Sequence, residues 1–183
     1  MNDKDQLTEK QIASQKVYDG GMLHVFRDDI ELPDGNASYR EYISHDGAVC
    51  VVAITADNKV VMEHQYRYPI GRVISEIPAG KLDSPQEDRL EAAKRELREE
   101  TGITADEWVN LGNFLSAPAY SEENITMFLA TGLHWGERSL DEGEFINVYE
   151  VSLESLVEDI LAGRIEDAKT QAAVLKAYMR IHK

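Results

Sequence analysis

The chain has 183 residues, 43% hydrophobic and 29% charged, with a formal net charge of −15 and a pI near 4.7. These values suit one soluble domain with a buried core and exclude a disordered or fibrous chain. The negative charge repels nucleic-acid phosphates and anionic membrane surfaces, so neither is an expected partner.

The opening MNDKDQLTEK is polar and lacks a signal-peptide core, and no run reaches the ~18 apolar residues of a membrane span. The cytoplasm is therefore the expected compartment. From Gln11 the pattern is β. Residues 22–32 (MLHVFRDDIEL) alternate, PDGNA turns the chain, and residues 38–45 (SYREYISH) alternate again, which predicts a hairpin. GAVCVVAIT (47–55) is a buried strand, and its Cys50, the one cysteine, reads as a small hydrophobe without a disulfide partner. KVVMEHQYRY (59–68) and VISEIPAG (73–80) continue the strands, and residues 84–101 form a helix. Strands follow at 108–115, 125–133 and 144–152. Two helices close the chain. Ser152 caps SLESLVEDILAGR and Gly163 ends it, and EDAKTQAAVLKAYMRIHK places Leu175, Tyr178 and Met179 on one stripe. The expected architecture is α/β, a mixed sheet between helices. Residues 1–45 are expected to form a separate antiparallel β layer that pairs with a second copy of the chain, and residues 46–183 the larger domain.

The helix at 84–101 has the densest chemistry. Ser84, Pro85 and Glu87 spell an N-cap serine, a proline at the first helical position and the glutamate of a capping box. Leu90, Ala93 and Leu97 share the face that must be buried, while Glu96, Glu99 and Glu100 share another at i, i+3 and i+4. Like charges so spaced destabilise a helix by a few tenths of a kcal/mol each, and Arg95 and Arg98 offset this only in part. The plain alternative is a solvated charged face. Hard divalent cations give a reason to tolerate the crowding, because Mg2+ takes oxygen ligands from carboxylates, phosphate and water.

The pattern Gly80, Glu87, Arg95-Glu96-Leu97, Glu99-Glu100, Gly102-Ile103 resembles the box of the Nudix hydrolase family. Between glycine and first glutamate the family has five residues and this chain six, KLDSPQ, which lengthens the loop and leaves the helical phase intact. The flanking QYRYPIGRVISEIPAGKL, and Pro118, 16 residues beyond Gly102, resemble the ADP-ribose and nucleoside-diphosphate-sugar pyrophosphatase branch. The resemblance implies an α/β/α sandwich, a homodimer, Mg2+ (with Mn2+ as an alternative) and a nucleotide-sugar substrate. It implies metal ligation by Glu96, Glu100 and the Ala79 carbonyl, with Glu99 joining them or polarising water, and Arg95 aiming the cluster. In the acidic loop SLDEGEFINV it implies Glu142 as general base, Asp141 as the fallback and Glu144 as a further ligand. Arg67 offers a guanidinium fork to the diphosphate, Arg40 would stack on the base, Glu76 would bind ribose, and Ser121–Glu123 would line the pocket. The five histidines have no metal-ligand spacing. ADP-ribose is the leading substrate. GDP-mannose or another nucleotide sugar is the alternative, and a noncatalytic sensor on the same fold is the rival from another class.

Overall fold

The computed structural model describes residues 5–140 and 142–183; Asp141 lies outside them. The chain divides into two compact units, Met1–His45 with Ala117–Glu123, and Asp46–Ser116 with Asn124–Lys183. Among the described residues no helix is long and apolar enough to cross a membrane.

The first unit is an antiparallel sheet of β1 (Lys10–Asp19), β2 (His24–Glu31) and β3 (Ala37–Ser44), in that order. β2 and β3 pair without a break from His24–Ser44 to Glu31–Ala37. The turn between them is closed by the Asn36 carbonyl accepting from the Leu32 amide at 2.8 Å, and Gly35 takes φ +84° within it. β1 is displaced by bulges at Gln11/Ala13 and Lys16/Tyr18, and all ten of its residues are exposed. Residues 117–123 are tied to β3: Ile43 donates to the Tyr120 carbonyl, and the Glu122 amide donates to Ile43.

The second unit has two sheets. One is ordered β10 (Ile146–Ser152), β5 (Lys59–Arg67), β6 (Arg72–Glu76); the other β7 (Ala79–Lys81), β4 (Ala48–Ala53), β9 (Asn124–Trp135), β8 (Ile103–Leu115). β4 runs parallel to β9 and antiparallel to β7. Every residue of β4 is buried, which explains its unbroken apolar run. Cys50 and Val52 pack with α2 (Leu153–Leu161) and α3 (Ala168–Ile181), whereas Val49 and Val51 pack with Ala92, Ala93 and Leu97 of α1 (Arg89–Thr101). Alternate side chains of one strand thus face two helical layers, and the expected α/β/α sandwich is what forms.

Three local readings need correction. α1 begins at Arg89, not near Ser84, and its cap is Asp88, whose carboxylate accepts from the Leu90 and Glu91 amides. Ser84 instead opens a turn, its carbonyl accepting from the Glu87 amide at 3.1 Å. Asp and Ser cap about equally well, and the cap nearer the first buried turn (Ala92, Ala93) is the one used. β8 starts directly after the Gly102 stop, five residues before Trp108, and pairs with β9 from Ile103–Trp135 to Leu115–Asn124. Its charged Asp106 and Glu107 and the bulge at Asn110/Gly112 break the alternation that a sequence reading needs. Residues 73–80 form not one strand but two, β6 and β7, which belong to different sheets.

Candidate active site

The second unit brings one acidic helix against one strand edge. In β7 the Val51 amide donates to the Pro78 carbonyl at 2.9 Å, so by antiparallel alternation the N–H and C=O of Ala79 face away from β4. That amide donates to Glu100 Oε2 at 2.9 Å. Gly80 is indispensable for the approach, because a Cβ there would lie 1.9 Å from the Glu96 carboxyl carbon. The opposite end of α1 is closed by Gly102 at φ +75°, where a Cβ would meet the Gly136 carbonyl oxygen at 2.4 Å.

Burial governs the carboxyls of this cluster. Glu100 is 4% exposed, and burial, then the charges of Glu63, Glu96 and Glu144, push its pKa up to about 10. Burial lifts Glu96 to about 7 against the pull of Arg95. Glu63, in β5, is 2% exposed, and burial with the charges of Glu76 and Glu144 raises it to about 8. Its Oε1 has no hydrogen-bond partner. Arg95 holds the outer side together. Its guanidinium donates to Glu96 Oε1 at 2.8 Å, Glu99 Oε2 at 3.2 Å, Glu87 Oε1 at 3.2 Å and the Lys81 carbonyl at 3.1 Å. Glu87 also accepts from the Asp83 amide at 2.7 Å. It therefore ties the loop 83–87 to Arg95 and takes no part in a capping box.

Arg67 and Glu76 do not stand apart as a phosphate fork and a ribose acceptor. Glu76 is 2% exposed, accepts from Arg67 Nε at 2.8 Å and Nη2 at 2.7 Å, and also takes the Lys169 ammonium. Both of its oxygens are engaged by these cations. The Arg67 side chain remains 41% exposed. Lys169, missed in the sequence, also pairs with Asp167 at 3.1 Å in the first turn of α3, and Thr170 Oγ1 accepts from the Ile77 amide at 3.0 Å. Those contacts fasten α3 to the segment between β6 and β7.

In the acidic loop, Glu144 is the residue whose charge acts on Glu63, Glu96 and Glu100, and it accepts from Gln65 at 3.5 Å. Glu142 is exposed beside Gly143, which has φ +86°. Asp141 lies outside the described residues. Arg40 and Pro118 belong to the first unit, where Arg40 pairs with Glu9 and donates to the Tyr39 carbonyl, and Pro118 is exposed.

A family profile described as the NUDIX domain matches residues 44–174. The chain belongs to the Nudix family. An ADP-ribose pyrophosphatase of Bacillus subtilis (strain 168) is 42% identical over 170 residues, 92% of this chain and 91% of that one. A methanol dehydrogenase activator of Bacillus methanolicus is 42% identical over 168 residues, 91% of this chain and 90% of its own. The crystal structure of an ADP compounds hydrolase matches with TM-score 0.83, 22% identity, and coverage of 96% of this chain and 95% of that chain, a likeness of fold.

Nudix hydrolases generally depend on a divalent metal. Among the described residues no three carboxylate, imidazole or thiol groups are already gathered as a cage. Glu96 is turned to Arg95, and Glu100 to the Ala79 amide. The Nudix donor set nevertheless suits a hard cation. It is all oxygen, and burial opposes the ionisation of both the buried Glu100 and the partly buried Glu96.

Proposed function

We propose that the chain is a Mg2+-dependent hydrolase of the diphosphate linkage of ADP-ribose, giving AMP and ribose 5-phosphate. The observation that carries this reading is the α1 carboxylate face, with Glu100 and Glu96 set against Ala79–Gly80 and Glu99 beside them on Arg95. The near full-length identity to a protein named ADP-ribose pyrophosphatase supports the substrate. Glu96, Glu100, Glu144 and the Ala79 carbonyl hold the cations, with Glu99 beside them and Arg95 orienting the helix face. Divalent ions, when bound, offset the diphosphate charge and make water a better nucleophile. Water attacks one phosphorus in line with the bridging oxygen, and Glu142 takes its proton as the phosphate–phosphate link breaks. The exposed side of Arg67, held rigid by Glu76, contacts a diphosphate oxygen. Arg40 stacks on the base, and Pro118 with its neighbouring loop borders the sugar. A homodimer exchanging the N-terminal β layer, working in the cytoplasm, completes the reading, with Mn2+ as a substitute ion.

The test is hydrolysis of ADP-ribose, GDP-mannose, UDP-glucose and ADP-glucose with Mg2+ or Mn2+. ADP-ribose is expected to be cleaved fastest, and Glu142→Gln to slow it about 100-fold or more. A preference for GDP-mannose would replace the substrate, and no cleavage of any member would favour a sensor. Full activity in Glu142→Gln would move the base to another residue.

A further inference from the structure

Glu63 lies on β5 with its side chain on the same face as Gln65 and Arg67. Register puts it directly opposite Glu76 on β6, and like charges so placed repel. The two carboxylates are treated differently by the fold. Glu76 is neutralised by Arg67 and Lys169. Glu63 forms no ion pair among the described residues, and its Oε1 is buried without a hydrogen-bond partner. A buried carboxyl held for packing alone would be expected to find donors, because an unpartnered oxygen costs about 1–3 kcal/mol. At Glu76, directly opposite on the neighbouring strand, the fold supplies such donors from Arg67 and Lys169, so their absence at Glu63 is specific. The charges around Glu63 are mixed: Glu76 and Glu144 oppose its ionisation, while Lys169 and Arg67 favour it. Among neighbouring charges Glu63 acts most strongly on Glu100, ahead of Glu96 on the same helix as Glu100, and Glu144 acts on both Glu63 and Glu100.

We propose that Glu63 is an additional carboxylate ligand of the divalent-cation site, its orphaned Oε1 reaching the ion directly or through one ordered water from the sheet side, opposite α1. This rests on the metal-dependent reading above. It gives the site a ligand from β5 that the glutamate box does not contain, and it explains why the sheet tolerates Glu63 facing Glu76.

Direct Mn2+ binding tests it, by titration calorimetry and by the spin-resonance signal of free Mn2+, on the full chain. Wild type, Glu63→Gln and Glu63→Asp are compared, with melting in chelator as the fold control. Glu63→Gln keeps size and should melt normally, yet bind Mn2+ at least about tenfold more weakly or hold one ion fewer. Glu63→Asp withdraws the carboxylate by one methylene and should lie between the two; it carries the test if the glutamine variant does not fold. Unchanged Mn2+ affinity and stoichiometry, whatever the melting temperature, would overturn the assignment and leave Glu63 a structural acid. If wild type itself binds no Mn2+ and cleaves no substrate, the metal-dependent reading fails first, which the panel separates from failure of Glu63 alone.

Discussion

Glu63, Glu96 and Glu100 share a physical condition, carboxyls whose protonated form the fold favours. Their folded pKa values, about 8, 7 and 10, lie above the ordinary 4.5. Between these limits the folded chain binds more protons than the unfolded one, so stability must fall as pH rises. The contribution is fully present below about pH 4.5 and is lost stepwise through the folded values. Melting in chelator is therefore expected to drop steadily from pH 5 to pH 9. Saturating Mg2+ should flatten the profile, since the cation binds the ionised form and stabilises the folded chain. A flat profile in chelator would show that these carboxyls already ionise freely. Helical spacing alone put three of the four α1-proximal acids on one face, and the glycine at 80 gave their neighbour. Glu63 escaped because one acid after VVM reads as an interruption in an apolar strand. Counting back by twos from Arg67 through Gln65 would have reached it. Lys169 had no comparable signal, since its partner Glu76 is 93 residues away.

At the scale of elements, α1 is set by its ends. Asp88→Ala removes two hydrogen bonds from the first turn and should cost about 1 kcal/mol in chemical denaturation. Ser84→Ala should cost little, because no cap hydrogen bond depends on its hydroxyl. Equal losses would restore Ser84 as the cap. Both residues have capping chemistry, and only the packing of Ala92 and Ala93 on β4 selects between them. This is the kind of choice a sequence leaves open, as is the length of β8. The legible elements were those whose pattern and packing agree, such as β4, with its unbroken apolar run, and α2, capped by Ser152 as read.

For the whole molecule, the exposed β1 stands out. A ten-residue strand with both faces open, carrying Ile12, Val17 and Tyr18 at about half exposure, invites pairing. The homodimer proposed above gives it a partner. Sedimentation should find a dimer, and Val17→Asp with Tyr18→Asp should shift it toward monomer with the second unit's fold retained. A monomeric wild type at micromolar concentration would remove the exchange. The sequence signalled this layer through its hairpin but not its boundary, because Ala117–Glu123 joins the first unit by pairing far along the chain with Ile43.

The bond between Glu76 and Lys169 also has a schedule. During synthesis Glu76 leaves the ribosome with Arg67 already made, but its second cation is 93 residues behind. At about 5–20 residues per second that is a wait of roughly 5–20 s. Throughout it, the Ile77 amide, which donates to Thr170, lacks its partner. Glu76 is thus made well before the cation that completes its pairing. A chain cut short before residue 169 would hold every strand and every one of these acids, yet leave Glu76 buried with Arg67 as its one remaining cation.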